Sequence, residues 1–326
     1  MPARYIEPGI VKQLSSLTPW RTALAVGLDW VVIAGAIALS QWARNPLAYL
    51  VSVIVIGGRQ HAFAALMHEF AHYRFIENKG LSDWICDLFV SWPSLASVDA
   101  YRRNHLAHHR YTNTEQDPDW VVKLGTRKFT FPQEWQYAVL NLLGYLAFIG
   151  SAFDMIQAIQ RLRAHDQSTR AYKLTRLAYY LAFAIVFTLT GAWVPFLLYW
   201  VVPFMTVFFL ALYVRSVAEH FAAMNYAEEL QSTRTVLPYL WENLVFSPHG
   251  VNYHLEHHLY PSVPFYNLPQ LHSALMASSD YAAQAHITRG YTTGLVRECL
   301  YFGRLPLPAA GSDGRQSAPQ SDAGRN

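Results

Sequence analysis

Histidine stands out in this chain both by number and by spacing. Of 14 histidines in 326 residues, eight fall into three short boxes: HEFAH from His68 to His72, HLAHH from His105 to His109, and HLEHH from His254 to His258. Residues three and four apart share one face of a helix, so His68 should converge with His72, His105 with His108 and His109, and His254 with His257 and His258. Imidazole suits borderline transition metals such as iron and zinc, and eight imidazoles exceed the three or four that one zinc takes. Two metal ions account for the number. Lone histidines such as His165, His272 and His286 read instead as satisfied polar residues near a membrane interface. A rival pattern is local: HEFAH also fits the HExxH of zinc proteases, with Glu69 as general base toward a metal-bound water, but both HxxHH boxes are then unexplained. A membrane metal-binding or transport protein is a further alternative, for which ligands strung through the spans would be expected rather than ligands gathered at one face.

Such a site must be held by rigid elements, and the apolar pattern supplies them. A helix crossing a bilayer needs about 20 mostly apolar residues with every backbone polar group bonded internally. Four stretches qualify, at about 22–42, 47–66, 177–191 and 196–214. Arg44, Asn45 and Pro46 turn the chain between the first two, and Gly191 to Pro195 between the last two, so two hairpins are predicted. A fifth apolar stretch, 135–153, reads as interfacial or re-entrant, because a full span there would separate the third box from the first two. Arg4, Lys12 and Arg21 precede the first hairpin, Arg161, Arg163, Arg170, Lys173 and Arg176 lead into the second, and Arg215 follows it. The positive-inside rule then puts both termini, the central segment and the boxes in the cytoplasm. The expected fold is an all-α integral membrane protein: four transmembrane helices as two hairpins, with a cytoplasmic helical cap holding a dimetal site. Residues 1–304 form this domain, and 305–326, rich in Pro, Gly, Ser and Ala, a disordered tail. Asp29, inside the first span, is either functional or satisfied by a neighbouring helix.

Composition closes off other classes. Hydrophobic residues make up 52% of the chain and charged ones 14%, against roughly 25% charged in a soluble domain. A net charge of +3 without a clustered basic face leaves no nucleic-acid footprint. Cys86 and Cys299, far apart and in no CxxC, build neither a zinc ribbon nor an iron-sulfur centre. The opening MPARYIEPGIVKQLSSLTPW, with three prolines, is not read as a secretory signal.

The three boxes HxxxH, HxxHH and HxxHH, placed after span two, in the central segment and after span four, resemble the membrane fatty acid desaturase superfamily. HHRYTNTEQDPDW and NYHLEHHLYPSVPFYNLP extend the resemblance, which covers about residues 45–275. Carotenoid ketolases and hydroxylases share much of the pattern. The resemblance implies a non-haem diiron centre in which His68, His72, His105, His108, His109, His254, His257 and His258 bind iron, joined by His220 from the end of the last span. His249 is a weaker candidate and His61 a structural or pocket residue. Carboxylates that fix the far ring nitrogens are expected among Glu69, Asp117, Asp119, Glu219 and Glu256, while Asn104 and Asn252 could bond a ligand or water. The implied reaction uses O2 to desaturate a fatty acyl chain, with hydroxylation or ketone formation on another lipid, such as a carotenoid, as the alternative. Two electrons per turnover have no carrier in this chain, so an external ferredoxin or cytochrome b5 with its reductase is implied. Arg102, Arg103, Arg110, Lys123, Arg127 and Lys128 form a candidate docking face for that donor or for an acyl-carrier headgroup, although topology-setting and lipid-phosphate contact explain them equally. Phe204, Phe208, Phe209 and Tyr213 are candidates for lining an acyl tunnel. A bacterial inner membrane is the expected location.

Overall fold

The computed structural model describes residues 5–301, so the expected tail lies outside the described residues. After a short α1 (Pro8–Leu14), α2 (Pro19–Ala43) and α3 (Pro46–Ala71) form the first hairpin. Proline opens both long helices in the first turn, where its missing N–H breaks no helical bond. Arg44 closes α2 in the left-handed region at φ 47°, and Asn45 caps α3 by accepting from the Ala48 N–H at 2.9 Å. α3 runs on through the first box rather than ending at residue 66. At 26 residues it is about 39 Å long, more than the hydrocarbon thickness, so its last turns reach beyond the apolar layer. Hydropathy marks the edge of the lipid and not the end of the hydrogen-bonded helix.

α4 (Lys79–Cys86) leads to α5 (Val98–Tyr111), which carries the second box. α6 (Trp135–Leu146) and α7 (Ile149–His165) occupy the fifth apolar stretch and meet at a bend of 72°. Phe148, at φ 68°, makes the elbow, and Asp154 holds it by accepting from Tyr145 at 2.5 Å and pairing with Lys128. No straight span forms there.

α8 (Arg170–Thr190) and α9 (Trp193–His220) make the second hairpin around Gly191, which sits at φ 68°. α9 contains two π-helical segments, Leu197–Val201 and Phe204–Phe208, flanking Pro203. Four helices are therefore long and apolar enough to cross a membrane. They differ in surroundings: most of α3 is buried, while no residue of α8 is, and its Leu, Ile and Phe side chains face outward. Beyond α9, a two-stranded parallel sheet pairs β1 (Thr235–Leu237) with β2 (Ile287–Arg289). Between the strands lie α10 (His254–Leu259), which is the third box, α11 (Leu268–Met276) and α12 (Ser279–Gln284); α13 (Val296–Tyr301) follows β2.

Buried polar groups tie the bundle together. Asp29 of α2 accepts from Arg59 of α3 at 3.0 Å and lies 2.7 Å from His249 Nε2, so the intramembrane carboxylate is answered by two partners. Gly58 lets α3 approach the chain at Leu244, because a Cβ there would come within 2.3 Å of the Leu244 carbonyl oxygen.

Candidate metal centre

The ends of α3 and α9 and the whole of α5 and α10 meet at one end of the bundle and bring nine histidines together in two adjoining groups. His68, His72, His105, His109 and His257 form one; His108, His220, His254 and His258 form the other. In each group the candidate ligand atoms lie within 4.8 Å of one another. All nine histidines expected at the site are present, but the boxes are divided differently from the simple expectation. His105 and His109 stay together while His108 joins the other group; His254 and His258 stay together while His257 crosses to the first. Successive helical residues point about 100° apart, so in HxxHH the i and i+4 rings lie one turn apart on one line and meet edge to face, while the i+3 ring turns aside. Each HxxHH box thus serves both groups, and the stacked rings of His109 and His258, 4.3 Å apart, form their common wall.

The spacing within each group fits metal ligation. Nε2 atoms of His72 and His105 are 2.9 Å apart, those of His105 and His109 3.0 Å, and those of His109 and His257 2.9 Å. In the smaller group His220 and His254 are 2.8 Å apart, and His254 and His258 3.0 Å. Ligands at right angles around an ion, with bonds of about 2.1 Å, would be separated by about 3.0 Å. The His68 Nε2 is buried with no hydrogen-bond partner. Burial first, and the neighbouring imidazoles second, hold His105, His254, His257 and His258 well below the ordinary histidine value. They are therefore neutral, the form with a lone pair to give.

Behind the ligand face the expected carboxylates divide. Asp117 accepts from His108 Nδ1 at 2.8 Å, which turns His108 Nε2 toward its group, and it also receives backbone N–H groups from Asn113 and Asp119. Glu219 lies 3.3 Å from His254 Nδ1 and pairs with Arg215 at 2.6 Å. Among the described residues Asp119 hydrogen-bonds Asn104 and Arg161 and no histidine, and Asn104 has no histidine partner either. Glu69 lies 3.7 Å from His68 Nδ1, and its carboxylate accepts from the Phe265 N–H at 2.9 Å. It anchors the chain beyond α10 and is not placed as a base for metal-bound water. Glu256 is a correction: it faces away from the ligands and is held by Thr235, by His272 at 2.5 Å and by Tyr281 at 2.8 Å. Asn252 is another, since its amide donates to the Val236 carbonyl at 2.9 Å and fixes β1. His249 is outside both groups, as is His61, whose Nδ1 meets the Val245 carbonyl at 2.6 Å.

The most consequential residue that sequence reasoning misplaced is Arg102. Weighed as part of a docking face or as a topology-setting, lipid-phosphate contact, it is instead buried and binds both oxygens of Asp83, at 2.6 and 2.9 Å, while donating to the carbonyls of Phe70 and Ala71 at 3.1 and 3.0 Å. Those carbonyls close the last turn of α3, where Phe70 also accepts from the Tyr73 N–H at 3.0 Å, so one guanidinium caps the first box and locks the second against it. Lys128, tied to Asp154, is likewise not free for docking.

A cavity of about 280 Å³ opens onto His105, His108, His220 and His254. Phe63, Met67, Phe204, Phe208, Ile159 and Leu212 supply much of its apolar wall. An apolar chamber ending on four imidazoles at the bundle end is what a metal-dependent attack on a lipid chain requires. A fatty acid desaturase family profile matches residues 19–290, most of the chain and all nine histidines. The chain belongs to the fatty acid desaturase family.

This desaturase is 27% identical to a dihydrorhizobitoxine desaturase of Bradyrhizobium elkanii, over 85% of the present chain and 82% of the relative. It is 24% identical to an sn-1 oleoyl-lipid 12-desaturase of Arthrospira platensis, over 76% and 73% of the two chains. It is also 27% identical to a human sphingolipid delta(4)-desaturase/C4-monooxygenase, over 79% and 77%. It is a multi-pass membrane oxidoreductase of the desaturase type, in a family that acts on lipid substrates in membranes.

Proposed function

We propose that this protein is an oxygen-dependent diiron desaturase that introduces a double bond into a fatty acyl chain. The observation that carries the reading is the pair of all-imidazole groups at the end of an apolar cavity. Five imidazoles in one group exceed a tetrahedral zinc shell, and ligand separations near 3.0 Å suit right-angled coordination. His68, His72, His105, His109 and His257 would hold one iron, and His108, His220, His254 and His258 the other. When bound, the two irons supply the redox chemistry by which O2 attacks an unactivated C–H bond. The protein does the rest: Asp117 and Glu219 orient His108 and His254, the apolar wall keeps water out, and the cavity holds adjacent methylenes beside the imidazoles. Removal of two hydrogens, with two electrons and two protons added, reduces O2 to two waters. The electrons come from an external donor of the ferredoxin or cytochrome b5 type. Positively charged flanks support a cytoplasmic placement of the centre, and a bacterial inner membrane is the proposed site.

The second reading is hydroxylation, or further oxidation to a ketone, on another lipid such as a carotenoid. It is supported by the human relative, whose name carries both a desaturase and a monooxygenase activity. Mass spectrometry of lipid extracts from cells expressing wild type or His105→Ala, with a donor co-expressed, tests both. A wild-type product lacking two hydrogens supports desaturation, one gaining oxygen moves the protein to the second reading, and identical extracts from iron-loaded wild type and the variant would sink both.

A further inference from the structure

The cavity beside the histidines carries more charge than an acyl chain needs. Three cations line it, Lys123, Arg161 and Arg215. Arg161 is answered by Asp119 at 3.0 Å and Arg215 by Glu219 at 2.6 Å, while the remaining carboxylate, Asp154, is taken by Lys128 and Tyr145. Lys123 differs: among the described residues its ammonium forms no direct ion pair, donating to the Ser216 hydroxyl at 3.2 Å and lying over the Phe129 ring at 5.8 Å, with Asp119, Glu219 and Asp117 acting on it only from a distance. Burial draws it below the ordinary lysine value, a cost that an anion placed against it would remove. Ser216 and His220 are four apart on α9, one helical turn or about 6 Å along the axis. An anion at Lys123 and Ser216 would therefore lie only a few bonds from the carbons presented to His220.

Building on the desaturase reading, we propose that the substrate is a carboxylic acid whose carboxylate is held by Lys123 and Ser216 close to the carbons oxidised, rather than an acyl chain whose head stays at the bilayer surface. A single ammonium beside one hydroxyl suits a carboxylate better than a phosphate dianion. The test is calorimetric binding of octanoate, octanol and octyl phosphate to the full-length iron-loaded protein in phosphatidylcholine nanodiscs. Wild type should bind octanoate at least about tenfold tighter than octanol, the effect of one charged contact. Lys123→Met should level the two, and Lys123→Arg, at equal iron content, should keep the preference. Equal binding of acid and alcohol by wild type, an unchanged preference in Lys123→Met, or tighter binding of octyl phosphate would each overturn the proposal. Because binding is read without turnover, an acid preference in protein with no oxidase activity would sink the desaturase reading and leave the anion site standing. Turnover without an acid preference would do the reverse.

Discussion

The two histidine groups look alike from the ligand side and differ behind it. In the four-histidine group, carboxylates stand behind two rings, Asp117 on His108 at 2.8 Å and Glu219 near His254 at 3.3 Å. The five-histidine group has its nearest carboxylate, Glu69, 3.7 Å from His68, and His257 Nδ1 is buried without a partner. It is held instead through the backbone: Arg102 clamps the carbonyls of Phe70 and Ala71, and Arg74 donates to the His72 carbonyl at 2.8 Å. One group is oriented ring by ring, whereas the other depends on the docking of α5 against the end of α3.

Removing one ligand from either group should have the largest effect. His105→Ala or His258→Ala is expected to abolish turnover and reduce bound iron, measured by elemental analysis; full iron with wild-type activity in either variant would break the two-group account. Arg102→Met should act next most strongly, since it leaves Asp83 without its partner and removes the side-chain donors from the Phe70 and Ala71 carbonyls. A loss of about 3 kcal/mol is expected, with the five-histidine group emptied first, read by unfolding and by spectroscopy of the bound iron. Asp117→Asn should weaken metal binding about 10–100-fold in the four-histidine group only. Its counterpart Glu69→Gln should have a smaller effect, because that carboxylate's hydrogen bond is to Phe265; a loss as large as that of Asp117→Asn would remove the contrast.

Acid should sharpen the comparison in metal-free protein. Burial, followed by nearby cations, lowers His72 to about 4, and burial, followed by neighbouring imidazoles, lowers His109 to about 2, from an ordinary 6.5. Below 6.5 the unfolded chain binds more protons than the folded one, so stability should fall as pH drops from 6.5 toward 4. A melting temperature unchanged over that window would mean that these rings are not buried together.

Much of the site was legible because it rests on local periodicity. Box spacing picked out eight of the nine histidines and the family resemblance added His220, while hydropathy marked the four long helices and the break at Arg44 to Pro46 the first turn. Charged residues were harder to place. Arg102 and Lys123 read as surface cations because nothing local distinguishes a solvated arginine from one whose partner lies 19 residues away, as Asp83 does. Glu256 sits between box histidines in sequence yet points to their far side.

The sequence by itself determined which side chains could ligate metal and which helices would carry them, since both follow from residue type and helical period. The tertiary structure alone decided how the histidines divide five and four, which carboxylates stand behind them, and that a lysine without a direct ion pair lines the cavity. Those outcomes depend on the angles at which α3, α5, α9 and α10 meet, and contacts between distant segments have no period to read along a single chain.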